Sequence, residues 1–252
     1  MKVFKNIHEA YHEILEDVLY FSDYKCAPRG QAIREILDYQ IRISNPVAEP
    51  IKTADAERNL VIVKYTSEET ALYDSKSNRV EDFAKASKFW EKIANPDGTI
   101  NSAYGHLIWE KKSLGNPLLE AQLNPHKNLV DYLYTPWTWC VESLKADKDT
   151  RQALLRFSLP EHHYSGNKDF VCTLSGSWAI REDKLNFSVV MRSNDIVKGF
   201  CYDCPWFISL MDKMIEELKP TYPNLTKGHY THLAHSLHMY ERDIDIVKKM
   251  LG

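Results

Sequence analysis

Between Asn6 and Tyr20, the residues Ile7, Tyr11, Ile14, Leu15, Val18 and Leu19 recur at intervals of three and four. That spacing predicts an amphipathic helix with one buried face. The same period returns from Phe83 to Ala94 through Phe83, Ala86, Phe89, Trp90 and Ile93, and stops at the turn signal Asn95-Pro96-Asp97-Gly98. Residues 128–145 are apolar and aromatic around Pro136, which predicts helix, break, helix. The second half alternates instead. Arg151–Leu159, Phe170–Ile180 and Lys184–Met191 read as strands, Trp206–Leu218 as a helix, His229–Leu237 as a strand and Ile244–Leu251 as a closing helix. No repeat or linker interrupts the chain, so the expectation is one α+β domain over residues 1–252, helical in front and strand-rich behind.

Length and composition agree with a single core. The chain has 252 residues, enough to bury a core without staples, and 44% hydrophobic against 27% charged residues excludes a disordered or fibrous chain. A net charge of −3 gives no global basic field to attract nucleic acid. Aliphatic runs such as Leu60-Val61-Ile62-Val63 are too short to span a membrane, and the N-terminus has no signal-peptide core. Five cysteines suit a reducing cytoplasm better than a disulfide framework.

Among chemistry-bearing residues, Cys172 stands out. Arg181-Glu182-Asp183-Lys184 lies between two alternating runs and predicts a hairpin with Glu182 and Asp183 as its loop. That register sets Cys172 opposite Ser193, with Arg192 beside them. An arginine next to a cysteine favours the nucleophilic thiolate, and Arg192 with Ser193 offers charge-assisted donors to a phosphate. The plainer alternative, a buried structural thiol and an ordinary ion-pair partner, is not excluded by hairpin arithmetic. Cys201-Tyr202-Asp203-Cys204 has CxxC spacing but no second pair, a weak signal for zinc or redox chemistry. His229, His232, His235 and His238 recur every third residue. On a strand, positions three apart face opposite sides, so the four do not converge on a metal.

Six pieces in order carry a resemblance: residues 67–77 around Glu69; Trp90 with Asn101–Trp109; Asp149–Arg151; Asp169–Thr173; Met191–Phe200; and Ser236–Tyr240. With them the chain resembles the thymidylate synthase superfamily from Arg29 to about Tyr240, and within it the phage deoxycytidylate hydroxymethylases. The resemblance implies a large twisted mixed sheet flanked by helices, in a sheet-to-sheet homodimer. It implies 5,10-methylenetetrahydrofolate as co-substrate, no metal and no nucleic-acid partner, in the cytoplasm (of a bacterial host if phage-encoded).

By the same resemblance Cys172 is the nucleophile that adds to pyrimidine C6. Arg29, Arg192 and Ser193 hold the 5′-phosphate, together with Arg151 of the opposite protomer. His238 and Tyr240 contact the sugar. Glu69 orders water and handles protons, Tyr104 helps remove the C5 proton, and Trp90 and Asp195 face the folate. Asp203 stands where thymidylate synthases carry the asparagine that reads uracil, which points to cytosine.

Some positions depart from the family pattern. Gln152 replaces a second arginine, with Arg156 nearby; Val171 and Thr173 flank the cysteine; and Gly252 follows Tyr240 without a long tail. The last two, with Asp203, favour hydroxymethylation over thymidylate synthesis. The expected activity is therefore 5-hydroxymethylation of deoxycytidylate. Its rivals are a CMP hydroxymethylase, a thymidylate synthase acting on deoxyuridylate, a non-catalytic nucleotide or RNA binder on the same scaffold, and a zinc-binding structural protein.

Overall fold

A computed structural model describes residues 1–114, 122 and 133–252. The chain begins β1 (Lys2–Phe4), α1 (Ile7–Tyr20), β2 (Tyr24–Cys26) and β3 (Ile33–Ile43). Helices follow: α2 (Ala56–Asp74), α3 (Val80–Ala86), α4 (Phe89–Ile93) and α5 (Tyr104–Trp109). A short ribbon of β4 (Ser113–Leu114) and β5 (Leu133–Tyr134) precedes α6 (Pro136–Ala146) and β6 (Leu154–Arg156). The remaining elements are β7 (Thr173–Arg181), β8 (Lys184–Met191), β9 (Asn194–Asp195), α7 (Cys201–Leu218), β10 (Thr226–Tyr240) and α8 (Ile244–Leu251).

The sheet has the order β1-β3-β10-β8-β7-β6, with β2 beside β3 and β9 beside β10. It is mixed: β10 runs antiparallel to β3 and parallel to β8 and β9. Alternation buries one face. Trp178 and Ile180 on β7, and Leu185, Phe187, Val189 and Met191 on β8, point into the core under the helices. The long helix α7 is almost wholly buried along Trp206, Phe207, Leu210, Met211 and Met214. On the other face Leu154 and Arg156 are exposed, and Ser175 and Ser188 only half-buried.

The expected α+β class, mixed sheet and flanking helices are all present. Several boundaries differ. The single helix expected over 83–94 is two, because Ser87 is extended (φ −157°, ψ 129°) and its hydroxyl accepts from the Phe89 amide at 3.2 Å, restarting the chain as α4. The strand expected from Phe170 starts only at Thr173, and that over 151–159 shrinks to β6, since a bulge at Leu174 draws the Phe157 and Ser158 amides onto one carbonyl. Of the helix-break-helix expected over 128–145, the second helix begins at Pro136 behind a Thr135 capping box, and 128–132 lie outside the described residues.

Gly105 of α5 packs its backbone directly on α2. A Cβ there would sit 1.7 Å from the Tyr73 carbonyl oxygen of α2. Gly105→Ala is expected to cost at least about 1–3 kcal/mol through this clash, measured by urea unfolding. An unchanged midpoint would show that α5 can slide away from α2.

Candidate active site

The β7–β8 hairpin turns through Glu182 and Asp183, both at positive φ (51° and 56°), the conformation that a tight two-residue hairpin loop requires. The expected register holds from Arg181↔Lys184 to Ser175↔Val190. The Leu174 bulge then shifts it by one. Thr173 pairs with Met191, and the Cys172 carbonyl accepts from the Arg192 amide at 2.8 Å. Cys172 therefore stands opposite Arg192, not Ser193.

The Arg192 guanidinium braces the cysteine loop. Nε donates to the Val171 carbonyl at 3.0 Å, Nη2 to the Phe170 carbonyl, and Nη2 also lies 3.5 Å from Cys172 Sγ. The group stacks over the Phe170 ring, 4.9 Å from its centroid. Contrary to the sequence expectation, the arginine does not prevail over burial. Desolvation pushes the Cys172 thiol up, Arg192 draws it down, and Asp203 and Asp169 add upward pressure, so the net shift is upward.

Asp169 ties this loop to the next segment. It accepts from the Ser102 amide at 2.8 Å and from the Ser102 hydroxyl, while the Asn101 side chain donates to its carbonyl at 3.2 Å. Tyr104 is thereby fixed at the start of α5, stacked on Tyr73 (5.2 Å) and Trp206 (5.8 Å). The charges of Cys172 and Asp203 both reach its hydroxyl.

Two buried carboxyls complete the centre. Glu69 comes from α2 and accepts from the Tyr73 hydroxyl at 3.3 Å. Asp203 lies in the first turn of α7, where Asn194 Nδ2 donates to its Oδ2 at 3.0 Å. Burial pushes both carboxyls well above the usual range, and the charge of Asp203 raises Glu69 further. The geometry thus gathers a thiol, a guanidinium, a phenol and two carboxyls that hold protons toward neutral pH.

The other expected residues are distributed around this centre. Asp195 caps the π-helical turn Ile196–Phe200, accepting at Oδ1 from the Val197 and Lys198 amides (2.8 and 3.3 Å), with buried His238 acting on its charge. Tyr240 lies beyond, edge-on to His238 and under Arg242 at 4.0 Å. Ser193 is half-buried next to Arg192. Arg29 is exposed on a turn at φ 52°, and its charge is felt at Cys172. Trp90 is buried against Phe83, and Tyr65 faces both it and Glu69.

Arg151 is not brought to the centre. It is exposed, as is Arg156, and neither side chain has a hydrogen bond or ion pair among the described residues. The four histidines do not converge: His232 and His238 are buried, His229 is half-buried, and His235 is exposed against Asp38 at 2.7 Å. Among the described residues no group of three or more His, Cys, Asp or Glu side chains is gathered for a metal. Cys201 and Cys204 are buried free thiols. Sequence reasoning assigned no part to Asn194, Asp169, Ser102 or Tyr73. All lie within or beside the quoted segments, but their roles depend on contacts across the fold.

This order of strands around a cysteine, an arginine and buried carboxyls defines an α+β fold with a candidate nucleophilic site. The thymidylate synthase family model matches residues 9–252, and the chain belongs to that family. It is 30% identical over 191 residues to the deoxycytidylate 5-hydroxymethyltransferase of Enterobacteria phage T6, covering 73% of this chain and 70% of that protein. It is 28% identical over 240 residues to the deoxyuridylate hydroxymethyltransferase of Bacillus phage SP01, covering 93% of this chain and 57% of that one. The solved structure of thermostable thymidylate synthase A from Bacillus subtilis superposes with a TM-score of 0.69 at 18% identity, over 98% of this chain and 84% of that one.

Proposed function

We propose that the protein hydroxymethylates C5 of deoxycytidylate, with 5,10-methylenetetrahydrofolate as co-substrate. The observation that carries the cytosine assignment is Asp203, a buried carboxyl beside Cys172 and Tyr104 that burial raises toward neutral pH. Such a carboxyl donates to cytosine N3 and accepts from the N4 amino group, a pattern uracil reverses. Cys172 adds through sulfur to C6, which makes C5 nucleophilic. Protonation of N3 by Asp203 draws off the electron density that this addition releases. Tyr104 stands to take the C5 proton, and Glu69, held by Tyr73, to orient the water that completes the hydroxymethyl group. Arg192, Ser193 and Arg29 receive the 5′-phosphate, and His238 and Tyr240 the sugar.

The folate site fits the residues around Trp90 and Asp195. The Trp90 Nε1 is a buried donor without a partner among the described residues, and Asp195 uses only Oδ1 in its cap, leaving Oδ2 for a ligand. When bound there, the folate supplies the one-carbon unit.

A product assay tests this function. dCMP, CMP and dUMP are incubated separately with methylenetetrahydrofolate and the products weighed by mass spectrometry. Hydroxymethyl-dCMP is expected. A second reading, hydroxymethylation of deoxyuridylate, is favoured by the likeness to the phage SP01 enzyme over most of this chain. A hydroxymethyl product from dUMP alone would select it, and a methyl product from dUMP would select thymidylate synthesis.

Exposed Arg151 and the half-open second face of the sheet support a sheet-to-sheet homodimer in which Arg151 completes the partner's phosphate site. Arg151→Ala and Cys172→Ser proteins, each nearly inactive, should then recover activity when mixed under subunit exchange, because one site in each heterodimer is intact. Demonstrated exchange without recovery would assign Arg151 to its own subunit.

A further inference from the structure

Behind Asp203 lies an unbroken buried line of polar side chains. The Tyr230 hydroxyl is 2.8 Å from His232 Nδ1, His232 Nε2 is 3.2 Å from Asn194 Oδ1, and Asn194 Nδ2 is 3.0 Å from Asp203 Oδ2. Tyr230, His232 and Asn194 are 0%, 2% and 2% exposed, so water does not rearrange the line. Burial alone drives the His232 imidazole down to about 3. It is therefore neutral and carries one ring hydrogen, so one nitrogen donates and the other accepts.

Such a line has two senses. In the first, Tyr230 donates to Nδ1, Nε2–H donates to Asn194 Oδ1, and the Asn194 amide donates to Asp203 Oδ2. Oδ2 is then purely an acceptor, and the carboxyl proton resides on Oδ1. In the second, the asparagine amide is turned over and Asp203 must donate its own proton to Asn194. Only the first leaves that proton available to a base.

The orientation of the Asn194 amide favours the first sense: its Nδ2 faces Asp203 Oδ2 and its Oδ1 faces His232 Nε2. The Cys204 thiol, held protonated by burial, lies against Tyr230 at the head of the line. Gly199 packs tightly on the junction. A Cβ there would lie 2.9 Å from Asn194 Nδ2 and 3.4 Å from Asp203 Oδ2, so even a methyl group would disturb the amide.

We infer that Tyr230, His232 and Asn194 are positioning residues that fix the Asp203 proton on the oxygen not bound to Asn194, and thereby set the preference for an aminopyrimidine edge over an oxopyrimidine edge. The inference rests on the reading of Asp203 as the base-recognising residue. It gives Cys204 of the CxxC a place against the Tyr230 end of the line, without metal or disulfide chemistry.

The test is the ratio of dissociation constants for dCMP and dUMP, measured by calorimetry on the intact protein and on Tyr230→Phe, His232→Phe and Asp203→Asn. Tyr230→Phe removes one hydroxyl and keeps the ring, and His232→Phe keeps an aromatic against Phe200, 5.0 Å away. Both should cut the dCMP preference by about tenfold, since the line no longer enforces one sense and a mispaired buried group results. A purely structural role would weaken both nucleotides alike and leave the ratio unchanged. If Asp203→Asn moves the ratio but neither phenylalanine variant does, the positioning inference is overturned while the reading of Asp203 stands. If Asp203→Asn also leaves it unchanged, both fall.

Discussion

A Cys172→Ser protein is expected to lose turnover on dCMP by about a thousandfold or more while binding dCMP as the parent does. The hydroxyl is too weakly acidic to supply an anion at neutral pH, whereas the phosphate contacts proposed for Arg192, Ser193 and Arg29 do not run through the sulfur. Burial has pushed the Cys172 thiol up despite the guanidinium 3.5 Å away. The parent's kcat/KM should consequently rise with pH on its alkaline limb as the thiol ionises, a dependence the serine protein lacks. Stopped assays with radiolabelled nucleotide and a parallel binding titration separate the two effects. Substantial residual turnover would mean that another group attacks C6.

The next largest effect is expected for Asp203→Asn, which should move the dCMP/dUMP ratio of kcat/KM toward dUMP by on the order of a hundredfold. Asparagine cannot place a proton on N3, and its amide matches the uracil edge. Each mispaired buried group costs roughly 1–3 kcal/mol, and about 1.4 kcal/mol is tenfold. Competition between the two labelled nucleotides gives the ratio directly, and a preference left intact would remove Asp203 from base recognition. The same variant has a stability signature. Because burial raises the Asp203 carboxyl, the folded state holds its proton more tightly than the unfolded state does. Stability is therefore lost as pH rises from the ordinary carboxylate range through the raised value, and the asparagine variant should show a flatter profile.

Much of this centre was legible in the sequence because its parts lie in local, periodic contexts. The hairpin register followed from a four-residue polar turn between alternating runs, and α1 from six apolar residues on one face. What escaped were elements whose apolar pattern is diluted. Helix α2 buries only Ile62, Thr66, Glu69 and Tyr73, a stripe half polar because it lines the site, while Leu60, Val61 and Val63 point outward. Strand β3 is interrupted at Asp38, which adopts φ 52°, so its alternation does not persist along its length. The bulge at Leu174 was equally hidden, since nothing in the local sequence distinguishes a one-residue slip. The effect of burial on Cys172 was not readable either, because it depends on segments far apart in the chain.

Strand β10 is the last strand described and lies at the middle of the sheet, pairing with β3, β8 and β9. During synthesis, β3 and the β7–β8 hairpin must therefore wait with open edges until residues 226–240 leave the ribosome. Asn194 and Asp195 have no sheet neighbour until that moment. A ribosome stalled before residue 240 would hold a nascent chain with the cysteine loop already made and no ordered floor beneath it. The risk of edge-to-edge aggregation should be concentrated in that interval, and a chaperone that shields strand edges would act there with the greatest effect.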